Sequence, residues 1–150
     1  MSPLLGNLDV TFNSHLTQIK TQIKNPIVLQ DILQKMIQSE LNGILTGAYL
    51  ETNSHIHDPF GNSKLAEFVI RRKQSYQGGY DFGFKLIEGT DEYEFLTRDG
   101  SIHAAKKFME QLLPWYAREN TLSVLRSQGF NIESQTEENG EVVIIAGKWC

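Results

Sequence analysis

From Thr17 to Lys24 the chain alternates: Thr17, Ile19, Thr21 and Ile23 take turns with Gln18, Lys20, Gln22 and Lys24. A period of two puts one set on each face of a pleated strand. Leu16, Ile19 and Ile23 also fit a helical spacing, so the stretch that follows has to decide. Asn25-Pro26 is a helix start, with asparagine at the cap and proline at the first helical position. Residues before proline are biased away from helical angles. The spacing therefore predicts a strand over 15–24, with Ile19 and Ile23 inward and Lys20 and Lys24 outward. Beyond it, Leu29, Ile32, Leu33, Met36, Ile37 and Leu41 recur at helical spacing and Gly43 supplies a stop, predicting an amphipathic helix over 26–41.

Residues 46–51 read as a short strand, and the Asn-, Ser-, Gly- and Pro-rich stretch 52–64 reads as a loop. A strand follows at 66–72, with Phe68 and Ile70 on one face. After a turn at 74–79, the segment 80–86 places Tyr80, Phe82, Phe84 and Leu86 inward and Asp81, Gly83 and Lys85 outward. A further strand spans 93–97. From Ser101 the period changes to that of a helix, with Ile102, Ala105, Phe108, Met109, Leu112 and Leu113 in one stripe. Pro114 is expected to kink or break it. Helical character resumes through Tyr116, Leu122 and Leu125 and ends at Gly129. Asn139-Gly140, between two β-rich segments, is a hairpin signal.

This order predicts an α+β domain: a mostly antiparallel sheet with two main helices packed on one face. Residues 1–13 read as an N-terminal arm carrying Leu4, Leu5 and Phe12, and 14–150 as a single domain.

Composition narrows the function classes. Hydrophobic residues make up 40% and charged residues 21% of the 150, which is globular rather than disordered. Fourteen basic against eighteen acidic side chains give a net charge of −4, so the whole-domain basic footprint of a nucleic-acid binder is missing. The single cysteine, Cys150, can form no disulfide within the chain, which suits a reducing compartment. No apolar run reaches the ~20 residues that a membrane helix needs.

The stretches "SHLTQIKTQIKN", "AEFVIR", "YDFGFK", "YEF", "YA", "QGFNI" and "GKW", taken in this order, resemble the hypothetical chloroplast reading frame thirty-five family. This is a domain of unknown function of cyanobacteria and algal plastids. The chain departs from it in extra N-terminal residues, and in "RDGS" after "YEFLT", where an acidic-aromatic pair is expected. The resemblance implies a cyanobacterial cytoplasm or a plastid stroma, and no reaction.

Candidate chemistry is sparse. His55 and His57 would share one face if extended, as a two-histidine metal site requires, but Asp58-Pro59 and the polar surroundings favour an exposed loop without metal. Gly78-Gly79 leads into a strand rather than the helix that a phosphate cradle needs. Asp81, Glu88, Asp91, Glu92, Glu94 and Asp99 read as solvated turn acids, no serine or cysteine sits in a nucleophile motif, and Trp115-Tyr116 reads as core. The outer sheet face would carry Gln18, Lys20, Gln22, Lys24, Arg71 and Lys85, partly neutralised by Glu67 and Asp81. Lys20, Lys24, Arg71 and Lys85 are thus the candidate binding residues. The leading expectation is a non-catalytic accessory or interaction module with an unidentified protein partner, no cofactor and no membrane association. The alternatives are nucleic-acid or anionic-ligand binding through the basic sheet face, and a metal-dependent enzyme using His55 and His57.

Overall fold

Six antiparallel strands form the main sheet in the order β1-β2-β6-β5-β4-β3. They are β1 (Asp9–Phe12), β2 (Thr17–Lys20), β3 (Tyr49–His57), β4 (Ser63–Arg71), β5 (Phe82–Leu86) and β6 (Tyr93–Thr97). Two helices, α1 (Pro26–Ser39) and α2 (Ile102–Ser127), cover one face, and β7 (Phe130–Glu138) pairs with β8 (Glu141–Lys148) as a separate two-stranded sheet. The computed structural model describes residues 9–12, 16–57, 62–72, 81–138 and 141–148. Leu4 and Leu5, Asp58-Pro59, the turn at 74–79, Asn139-Gly140 and Cys150 lie outside the described residues.

The α+β architecture with both helices on one face is as the pattern predicts. Ile19, Phe95, Phe84 and Phe68 stand side by side across β2, β6, β5 and β4, and all four are buried. Leu29, Ile32, Leu33 and Met36 of α1 and Ala105, Phe108, Met109 and Leu112 of α2 close over this row. Phe108 sits 4.8 Å from Phe82 and 5.8 Å from Phe95, within the range in which aromatic pairs attract. Tyr116 is buried as predicted, with its hydroxyl accepting from the backbone amides of Lys24 and Asn25 at 3.2 and 3.0 Å.

The alternation at 17–24 holds: Thr17, Ile19, Thr21 and Ile23 are buried, Lys20, Gln22 and Lys24 are exposed, and Gln18 is half-buried. The ladder strand itself is shorter than predicted, since β2 ends at Lys20. The chain stays extended beside β6, with Thr21 N–H bonded to Tyr93 C=O and Tyr93 N–H to Ile23 C=O. Asn25 then caps α1, its side chain accepting from the amides of Ile27 and Val28. The helix ends at Ser39, before the predicted Leu41, because four successive residues take positive φ: Glu40 (60°), Leu41 (42°), Asn42 (51°) and Gly43 (92°).

Four sequence expectations are corrected. Residues 52–57 are strand, not loop: β3 continues to His57 as an edge strand held by β4. Asp81 is not a solvated outward acid; it is 4% exposed and ion-paired to Arg71. Gly83 is not outward to water; it is buried beneath Ile56. Pro114 neither breaks nor ends α2, which passes through it as one helix of 26 residues. Pro114 lies on the exposed side, where water can take over the carbonyl it leaves unbonded.

The second face of the sheet is partly covered as well. In a flat hairpin, Ser54 would lie about 16 Å along β3 from the residue opposite Arg71, at about 3.3 Å per residue. Instead, Arg71 Nη2 donates to Ser54 Oγ and to the His55 carbonyl, both at 2.7 Å. Arg98, which follows β6 at the end far from Leu86, donates from Nε to the His57 carbonyl at 3.0 Å. The outer half of the β3–β4 hairpin is therefore folded back over the sheet. Its bend falls at Asn53, which has a φ of 50° and is missing from the ladder between Thr52↔Phe68 and Ser54↔Ala66. The fold-back buries Ile56 with Leu16 and Leu96 in a second, small apolar cluster.

Candidate functional site

The four candidate cations do not gather into one basic patch. Lys20 stands opposite Glu94, and Glu94 opposite Lys85, so the row across β2, β6 and β5 alternates in sign. Lys24 lies 3.8 Å from Glu92. Next to Lys85, Glu67 accepts from the Leu86 amide at 2.6 Å. Arg71 lies apart from the lysines, at the far end of β4. Opposite charges facing each other across a sheet support the ladder, and they cancel the field a polyanion would follow.

Arg71 is the centre of a clasp. Its Nη1 donates to Asp81 Oδ2 at 2.8 Å, and its Nε lies 3.3 Å from Glu51 Oε2. Ser54 Oγ donates to the same Glu51 oxygen at 2.7 Å. Asp81 Oδ1 accepts the Arg72 amide, and the Asp81 carbonyl accepts from Thr97. Burial works against the Arg71 charge, but Asp81 and Glu51 outweigh it and hold its pKa above the ordinary value. The Ser54 hydrogen bond, opposed by burial and helped by Arg71, holds the Glu51 carboxyl below its ordinary value. A guanidinium with this many acceptors is committed to structure: it fastens β3 back over β4 and β5. Sequence reading placed Arg71 and Asp81 on one sheet face, with Asp81 as a partial neutraliser, and missed Glu51 and Ser54. No local signal marks Glu51 and Ser54, because a bend in β3 brings them to Arg71.

His55 and His57 sit on one exposed face of β3, with ring centroids 6.4 Å apart and planes inclined by 23°. His55 Nδ1 is 3.3 Å from Ser63 Oγ on the paired strand. Among the described residues no group of three or more histidine, cysteine or carboxylate side chains is placed to hold a metal ion.

The β7–β8 hairpin carries apolar side chains that the fold covers incompletely. "VVIIA" at 142–146 is a continuous apolar run, the pattern of a strand buried on both faces. Here Val143, Ile144 and Ala146 are only half-buried, and Ile145 is 52% exposed. Opposite them stand Thr136, Gln135 and Ile132 of β7, with a bulge at Glu133 between Ile132 and Ser134. β7 packs along α2, whose last turns add the half-buried Leu125 and the 44% exposed Val124. Among the described residues neither outer edge of this two-stranded sheet is paired. The hairpin segment is also acidic: Glu133, Glu137, Glu138 and Glu141 precede its first basic residue, Lys148.

Residues 45–145 match the family described as protein of unknown function DUF1257. That span runs from the turn before β3 through most of β8. No curated protein and no solved structure matches.

Proposed function

Because the chain belongs to the DUF1257 family, whose description names no reaction, we propose from its surface that it is a non-catalytic accessory module that binds another protein through the β7–β8 hairpin. The observation that carries this reading is β8: its sequence is that of a strand covered on both sides, yet every residue from Val143 to Ala146 keeps exposed area. A two-stranded ribbon is marginal in water unless something packs on it, and its open edges invite a further strand. The partner that fits is an extended, apolar segment carrying lysine or arginine. It would add to the ribbon's edge, and its basic residues would suit the acidic sequence of this segment. The setting that belongs to this proposal is a cyanobacterial cytoplasm or plastid stroma, as the resemblance to the chloroplast reading frame family implies. No helix among the described residues is long and apolar enough to cross a membrane, in keeping with that setting.

The test uses a photo-crosslinker at Ile145 and, as a control, at the exposed Gln22 outside the β7–β8 hairpin, in cells of a cyanobacterium. One protein should be captured at Ile145 and not at Gln22. Purified, it should bind the wild-type chain and lose at least tenfold in affinity for Ile145→Asp, with the thermal midpoint unchanged. Equal binding by Ile145→Asp, or capture at Gln22 alone, overturns the reading.

A further inference from the structure

We propose that His55 and His57 form a two-imidazole chelate on the outer surface of the folded-back hairpin, a site for a borderline transition-metal dication such as Zn²⁺. Three observations carry it, none of them shared with the β7–β8 surface. First, the segment is strand rather than loop, so positions i and i+2 project from one face. The rings stand nearly parallel with centroids 6.4 Å apart. Two imidazoles on one tetrahedral Zn²⁺, with Zn–N of about 2.0–2.1 Å, bring their centroids to about 5 Å. Both side chains are exposed, so side-chain rotation alone can close the difference.

Second, the backbone under both residues is fixed. Arg71 donates to the His55 carbonyl at 2.7 Å and Arg98 to the His57 carbonyl at 3.0 Å. A chelate built on a clamped strand forfeits little chain freedom when the ion binds. Third, Ser63 Oγ lies 3.3 Å from His55 Nδ1. With the Nδ1 proton donated to Ser63, the Nε2 lone pair faces outward. Histidine ligands are commonly oriented in this way, through a hydrogen bond from the other ring nitrogen. Imidazole pairs select zinc, copper or nickel over the hard cations magnesium and calcium. The remaining coordination positions of the ion face solvent.

The experiment is calorimetric titration of tag-free, chelator-washed protein with Zn²⁺ alone. One equivalent should bind in the micromolar range, and Mg²⁺ should not compete. His55→Gln/His57→Gln should abolish that equivalent while leaving the circular dichroism spectrum and thermal midpoint unchanged, since both side chains are exposed. Ser63→Ala should keep the stoichiometry and weaken binding severalfold. Absence of saturable binding overturns the proposal. So does an unchanged isotherm in the double variant, which would place the ion elsewhere, for instance at His103.

Discussion

Arg71 Nη1 lies 2.8 Å from Asp81 Oδ2, and the pair closes the end of β4 against the start of β5 with Asp81 only 4% exposed. Removing one partner strands a buried charge. Arg71→Met should therefore lower stability by about 3 kcal/mol, as breaking a buried pair does. Asp81→Asn keeps an acceptor for the Arg72 amide and should be milder. Urea denaturation of both singles and the double variant checks the coupling: the double should fall short of the sum by at least about 1 kcal/mol. Additive losses would mean the two residues act separately.

The same clasp should respond to acid. Glu51 has a folded-state pKa below its unfolded value. It therefore adds stability that is complete above the ordinary carboxylate range and is lost as pH falls through the lowered pKa. Glu51 is partly exposed, so the effect is small. Urea midpoints between neutral and acidic pH should fall less in Glu51→Gln than in the wild type. Parallel curves would remove Glu51 from the clasp.

Gly83 reads out the fold-back directly. A Cβ there would stand 3.3 Å from Ile56 Cδ1 and 3.6 Å from Leu96 Cβ. Gly83→Ala should be tolerated with a slight shift of Ile56. Gly83→Val should cost about 1–3 kcal/mol, as overpacking does, and should raise hydrogen exchange at Ile56 and His57. A flat, open hairpin would leave both variants as stable as the wild type.

Pro114 sits in the middle of α2 on its exposed side. Pro114→Ala restores an amide donor and removes the ring's clash with the turn before. Interior proline costs a helix ~3 kcal/mol relative to alanine, so a gain of about 1–3 kcal/mol is expected. A lowered thermal midpoint would show that the proline shapes the helix in a way the packing needs.

Along the extended segment from β2 to Asn25 the two faces should behave oppositely. Ile23 is 1% exposed, and Ile23→Ala should cost about 2–5 kcal/mol. Lys20→Ala and Lys24→Ala should each change stability by no more than about 0.5 kcal/mol. Chemical denaturation of the three variants is sufficient, and a neutral Ile23→Ala would mean the register is wrong.

Legibility followed the range of the interactions. The β2 faces, the Asn25 cap, β6 and the stripe of α2 were readable because each rests on spacing within a few residues. β3 was not. "TNSHIH" lacks the apolar alternation of a half-buried strand, and it is held by pairing with β4 and by two arginines, Arg71 and Arg98, distant in sequence. Asp81 looked solvated because its burial depends on Arg71 reaching it. Lys20 and Lys24 are exposed as the alternation predicts, and Lys85 is half-buried. What the spacing could not show is that Glu94 and Glu92 stand next to them.

The order β2-β6 has a consequence for how the chain reaches this state. Thr17 pairs with Thr97, eighty positions later, so the first strands have no sheet to join until β6 exists. During synthesis β1, β2 and α1 must wait outside the ribosome while most of the domain is still being made. Pairings this distant slow folding, because the loop must close before any contact rewards it. In that interval the edge of β2 that β6 will cover stays unpaired. The longer that edge waits, the longer the segment is open to pairing with the wrong strand.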